Sequence, residues 1–129
     1  MRDVLAVLAG GVLGTSLRLG IDAALPHGDT GFPLSTLIIN CVGALALGIL
    51  VSRVWGVAPD WAKAGLGPGL LGSFTTFSAV AVSLVSLGAA GEWMPALAYL
   101  ALTLVLGIGA AALGLALGRP SPNTPEYEE

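Results

Sequence analysis

The amino-acid sequence predicts an all-α integral membrane protein built from four transmembrane helices. Of its 129 residues, 55% are hydrophobic and only 10% are charged, and the mean hydropathy is +0.88. Soluble domains carry roughly 25% charged residues. The apolar residues fall into four stretches of about 20 residues, the length that crosses a hydrocarbon core of ~30 Å as a helix. We therefore expect one helical bundle surrounded by lipid.

The four spans are expected at 4–25, 34–55, 64–90 and 94–117. Pro26 interrupts the apolar pattern after the first span. Trp55 lies where an interfacial aromatic side chain anchors the end of the second span. A turn at Gly91 separates the third span from the fourth. The polar tail at 119–129 contains three prolines and is predicted to be disordered.

The third span is predicted to be a broken helix. Glycine and proline are concentrated at 65–72, and the hydroxyl-rich run SFTTFS follows at 73–78. Glycine and proline weaken a helix, and backbone carbonyls freed at membrane depth are stable only inside protein or around water or an ion.

Small residues also recur at four-residue spacing, which favours close helix packing, although 19 glycines produce some such pairs by chance. These pairs are Gly10/Gly14, Gly65/Gly69 and Gly114/Gly118.

The distribution of positive charge predicts the orientation of the chain. Four basic residues flank the spans on the side that carries both termini: Arg2, Arg53, Lys63 and Arg119. The loops on the opposite side, at 26–33 and 90–93, contain no Lys or Arg. By the positive-inside rule we expect both termini in the cytoplasm and the chain in the cell membrane in a single orientation.

Several functions are excluded by residues that the sequence lacks. The formal net charge of −3 comes largely from the tail, and no basic patch suits nucleic acid. Cys41 is the only cysteine, so neither an internal disulfide nor a cysteine-based metal site is expected. No Asp, Glu, His or Lys lies deep within a span, because Asp22 is near a span end and His27 is in a loop. We expect neither catalysis nor proton-coupled transport.

A few polar or aromatic side chains within the spans are candidates for function, and each also has a structural explanation. Arg18 either faces a watery vestibule that concentrates anions or anchors a span at the interface. Asn40 either donates to a permeant anion or joins two helices. Tyr99 and Thr103 share one helix face and either line a path or cap carbonyls. Phe77 either packs in the core or meets an anion with its electropositive edge.

Three motifs resemble the Fluc/CrcB family of fluoride channels. They are GGVLGTSLR at 10–18, STLIINCVG at 35–43 and GLLGSFTTFS at 69–78, and the resemblance covers all four spans. The third motif is the most specific, because a glycine-rich approach to TTFS is hard to obtain by chance in a short four-span protein. The resemblance implies an antiparallel dimer with two fluoride pores, passive fluoride export, and a structural sodium ion at the dimer interface.

The resemblance also implies roles for individual residues. The implied pore-lining residues are Asn40, Phe77, Thr36, Ser78, Tyr99 and Thr103. Arg18 is implied to lie toward the vestibule, and the backbone carbonyls of Gly72 and Thr75 are implied to hold the sodium ion. Fluoride is small and strongly hydrated, so a narrow pore must replace its water with N–H, hydroxyl and aromatic-edge donors that do not hold it too tightly.

One position departs from the family pattern. The family commonly has a second phenylalanine three residues after the position of Phe77, and this sequence has Val80 there. The lost aromatic edge implies either one impaired pore or an aromatic residue supplied by a different subunit. An antiparallel homodimer needs one sequence to insert both ways, whereas the one-sided positive charge fixes one orientation. We therefore expect an antiparallel dimer with a paralogous subunit of opposite orientation, and a homodimer is the alternative.

Two other functions are open from the sequence. A small multidrug transporter also has four spans and forms antiparallel dimers, but it relies on a membrane-embedded glutamate in the first span, and this sequence has none there. A non-conducting subunit of a membrane assembly is compatible with the sequence if Val80 marks a degenerate chain.

Overall fold

The computed structural model describes residues 1–25 and 31–119. Its helices are α1 (Arg2–Ala24), α2 (Leu34–Arg53), α3 (Asp60–Ala64), a π-helical segment (Gly65–Leu71), α4 (Gly72–Phe74), α5 (Phe77–Ala89) and α6 (Trp93–Gly118). The proline at 26, where the apolar pattern of the first span was expected to end, lies outside the described residues. So does the tail predicted to be disordered, except for Arg119.

Four helical stretches are long and apolar enough to cross a membrane: Arg2–Ala24, Leu34–Arg53, Asp60–Ala89 and Trp93–Gly118. The prediction of an all-α, four-span membrane protein is confirmed. The third stretch begins at Asp60, earlier than the predicted start at 64. Extended Pro59 precedes this helix start, and the Asp60 carboxylate lies in the first turn, where the helix dipole favours negative charge.

The third span is interrupted at its centre, as predicted. Helix α4 ends at Phe74, and the next two residues are extended, with φ −79° and ψ 156° at Thr75 and φ −150° and ψ 119° at Thr76. Helix α5 then begins at Phe77. The Thr76 hydroxyl caps this helix by accepting a hydrogen bond from the N–H of Ala79 at 3.2 Å.

A π-helical segment precedes this break and contains Pro68. Proline has no N–H, and its ring collides with the carbonyl four residues earlier in an α-helix. A wider turn relieves that collision, and the N–H of Gly72 accordingly donates to the carbonyl of Gly67, five residues earlier. The third span therefore has two adjacent interruptions of different kinds.

The helices pack as two main pairs, α1 against the first half of the third span and α2 against α6. Glycine allows the backbones to touch at both contacts. A Cβ added at Gly10 would collide with the Gly65 carbonyl, and one added at Gly114 would collide with the Leu45 carbonyl. Of the other members of the predicted pairs, Gly14, Gly65 and Gly69 also lie against the backbone of a neighbouring helix, and Gly118 lies against the Ser52 side chain. The predicted close packing is confirmed.

Large apolar side chains cover the outside of α1 and α6, including Val12 and Ile108. The buried core is small and includes Leu37, Val80 and Tyr99. An apolar exterior around a small core is the arrangement expected when lipid is the solvent. The chain is a multi-pass membrane protein.

Candidate functional site

The Asn40 side chain joins α2 to the break in the third span. Its Nδ2 donates to the Thr76 carbonyl at 3.0 Å, and the Thr76 N–H donates to its Oδ1 at 2.9 Å. These bonds replace helical partners that Thr76 lacks at the break. An amide nitrogen carries two hydrogens, and the second one on Nδ2 makes no hydrogen bond within the part of the chain that the structure describes.

Two backbone carbonyls at the break lose their usual helical donors. In a continuous helix the N–H groups of Thr76 and Ala79 would donate to the carbonyls of Gly72 and Thr75. Here they donate to Asn40 Oδ1 and to Thr76 Oγ1 instead. The Gly72 and Thr75 carbonyls therefore lack their usual helical donors. Uncharged carbonyl oxygens at a broken helix are suitable ligands for a small, hard cation.

An open groove of about 620 Å³ runs along the break between α2, α6 and the third span. The predicted site residues on its walls are Asn40, Gly72, Thr75, Phe77 and Thr103. Apolar side chains form most of the remaining wall, and Trp55 lies at one end. The Phe77 side chain is 85% exposed, so it does not pack in the core of this chain. The fold thus gathers five of the predicted residues around one open surface.

Tyr99 and Thr36 lie in a buried cluster of hydroxyl groups rather than on the groove wall. Tyr99 is 0% exposed, and the hydroxyl groups of Thr36, Ser83 and Thr103 approach its own. The Tyr99 and Thr103 hydroxyls nevertheless make no hydrogen bond of standard geometry with the described residues. A buried polar group without a partner costs about 1–3 kcal/mol. This cluster is therefore suited to water or to an anion that accepts hydrogen bonds.

Ser83 was not among the predicted site residues. It follows Val80 by three residues on α5, and this spacing places it on the face that packs against Tyr99. The outer side of the cluster is covered by Phe32, whose ring meets the Tyr99 ring edge-on at 5.6 Å between centroids.

Two further predicted residues, Ser78 and Arg18, also lie off the groove wall. Ser78 is exposed, and its hydroxyl contacts the Thr76 hydroxyl at 3.1 Å. Arg18 is half-buried on α1 and forms no ion pair or hydrogen bond with residues 1–25 or 31–119. Val80, at the position of the expected second phenylalanine, is buried against Leu37 and Tyr99 and also borders the groove.

The protein has four spans, a third helix broken at membrane depth, and an asparagine that is hydrogen-bonded to the backbone at the break. These features are typical of polytopic membrane proteins that form ion or substrate sites at discontinuous helices. The sequence profile of the family described as CrcB-like protein, Camphor Resistance (CrcB), matches residues 5–115. The chain belongs to this family, which confirms the resemblance found in the motifs.

Curated relatives match along most of this chain. One is the fluoride-specific ion channel FluC of Chloroflexus aurantiacus, 36% identical over 122 residues, which cover 92% of this chain and 97% of the relative. The protein of the same name from Paracoccus denitrificans is 38% identical over 115 residues, which cover 89% of this chain and 93% of the relative. Fluoride-specific ion channel FluC 2 of Halalkalibacterium halodurans is 40% identical over 118 residues, which cover 91% of this chain and 86% of the relative.

Proposed function

We propose that this chain is a subunit of a fluoride-selective channel that exports fluoride passively across the cell membrane. The observation that carries the proposal is the contact between Asn40 and Thr76, which leaves one amide hydrogen of Asn40 free beside an open groove. Thr103 and Phe77 border the same groove, and the Thr103 hydroxyl lies in the buried cluster behind it. The names of the relatives support fluoride as the permeant ion and an ion channel rather than an enzyme as the class.

Fluoride passes between several weak donors in this mechanism. Asn40 supplies an amide N–H, Thr103 a hydroxyl, and Phe77 the electropositive edge of its ring. The hydroxyls of Thr36 and Tyr99 extend this row of donors below the surface. Each donor replaces part of the hydration shell of fluoride, and none carries a full charge that would trap the ion.

A sodium ion fits the break of the third span. The Gly72 and Thr75 carbonyls lack helical donors and border the same groove, so this chain offers two uncharged oxygen ligands. Two breaks that face each other in a dimer would double that number. A bound sodium ion would supply the positive charge that holds two sets of carbonyl dipoles together, and its role would be structural.

We further propose that both termini lie in the cytoplasm and that the partner is a paralogous subunit of opposite orientation. The one-sided positive charge supports a single orientation for this chain. Val80 supports an unlike partner, because it is buried against Leu37 and Tyr99 and offers no aromatic edge to the groove. An antiparallel partner with a phenylalanine at this position would supply the missing edge.

Fluoride efflux from liposomes, measured with a fluoride electrode, tests the proposal. The chain is purified alone and with a four-span homologue whose Lys/Arg bias is reversed. We expect fluoride efflux from the pair and little from the chain alone. Strong efflux from the chain alone would contradict the unlike partner. No efflux from either sample would favour a non-conducting subunit, and efflux of organic cations would favour a multidrug transporter.

A further inference from the structure

Trp55 lines the groove just after the end of α2, on the side that carries both termini. It follows Asn40 by fifteen residues, so the groove extends ~22 Å along α2 and its final turn, about half of the membrane thickness. The Trp55 N–H donates to the Leu50 carbonyl at 3.0 Å, five residues earlier, so the chain leaves α2 through a widened turn. The indole is 37% exposed at this end.

The Trp55 ring lies on Gly67, at the π-helical segment. A Cβ added at Gly67 would lie 2.9 Å from Trp55 Cη2 and 3.3 Å from Cζ3, and these are the atoms it would meet within 4 Å. Gly67 is buried, and Pro68 beside it also borders the groove. The ring therefore spans the gap between the end of α2 and the third span, in space that a side chain at 67 would occupy.

We propose that Trp55 limits access to the groove, so that an anion entering from the side of the termini reaches Asn40 only past the indole ring. This inference rests on the proposed function, because it takes the groove as part of the fluoride path. The ring is large and apolar, and its contact with Gly67 fixes its position, so it sets the width of the entrance. Its electropositive edge does not repel a small anion that has lost some of its water.

Cysteine accessibility tests this role separately from conduction. Ala44 is half-buried on the groove wall. In a Cys41→Ala background, Ala44→Cys provides a single thiol, and an anionic methanethiosulfonate reagent is added on the side of the termini. We expect Trp55→Ala to raise the modification rate about tenfold and Trp55→Phe to raise it less, because thiol reactivity follows access. Val57→Cys, in an exposed turn, is the control that should not change.

Gly67→Ala provides a second, independent test through the same ring. The new methyl group displaces Trp55 Cη2, so the rate at Ala44→Cys should rise while Trp55 is present. The smaller ring of the Trp55→Phe variant lacks that atom, so Gly67→Ala should add nothing in that background. This dependence on the ring separates an access role from a general loss of packing.

Equal modification rates in folded protein with Trp55 intact, with Trp55→Phe and with Trp55→Ala would overturn the inference. Fluoride efflux of the unmodified protein is measured in the same preparations. If fluoride does not pass and the rates still differ as expected, the proposed function fails while the access role of Trp55 stands. If fluoride passes and the rates are equal, the access role fails alone.

Discussion

Replacement of Asn40 by alanine should weaken both the fold and conduction. The change removes the two hydrogen bonds between Asn40 and Thr76, and each such bond contributes about 0.5–1.5 kcal/mol to stability. Bonds between helices in membranes average ~0.6 kcal/mol, so the lower part of that range applies. For the two bonds together we expect a loss of roughly 1–2 kcal/mol in the free energy of unfolding. The Thr76 N–H and carbonyl would also lose their partners.

Asn40→Asp separates the two effects. The carboxylate can still accept from the Thr76 N–H, but it places an oxygen against the Thr76 carbonyl and a negative charge beside the groove. Fluoride efflux should fall by about tenfold or more, since ~1.4 kcal/mol corresponds to a factor of ten in rate. Val42→Ala, at a lipid-exposed position of the same helix, is the matched control.

Unfolding is followed by tryptophan fluorescence in a denaturing detergent titration, and conduction by fluoride efflux. The reasoning would be refuted if Asn40→Ala left both the unfolding free energy and the efflux rate unchanged. A loss of stability with normal efflux would limit Asn40 to its structural contact with Thr76.

Three further predictions concern packing, the groove and the cation. Gly114→Ala places a methyl group against the Leu45 carbonyl and should cost about 1–3 kcal/mol in detergent melts, whereas Gly109→Ala meets no atom within 4 Å and should change little. Phe77→Ala should slow fluoride efflux without lowering the melting temperature, because its ring is exposed; loss of stability would contradict this. Exchange of sodium for a large organic cation should slow efflux, and unchanged efflux would rule out the sodium site.

The sequence predicted the number of spans and an interruption within residues 65–78, because hydropathy and glycine content act locally. The structure places the break itself at Thr75 and Thr76. The sequence did not predict the π-helical segment. Hydrophobic periodicity does not distinguish a helix with hydrogen bonds to the fourth preceding residue from one with bonds to the fifth. The segment contains Pro68, and Gly65 and Leu70 within it pack closely on Gly10 of α1.

The candidate site was predicted less completely, because its geometry depends on residues distant in the sequence. Asn40 was a candidate from its polarity, but its partner Thr76 lies 36 residues away and only the fold brings them together. Ser83 joins the buried hydroxyls for the same reason. Arg18 and Ser78 lie away from the groove in this single chain, so a role for either in conduction stays a prediction.

The most direct test of the central proposal is anion efflux from liposomes that contain this chain together with its oppositely oriented homologue. Fluoride and chloride are loaded at equal concentration and their release is followed with ion-selective electrodes. We predict rapid release of fluoride, retention of chloride, and loss of fluoride release with Asn40→Asp. Retention of fluoride, or equal release of both anions, would contradict the assignment of this chain as a fluoride-selective channel subunit.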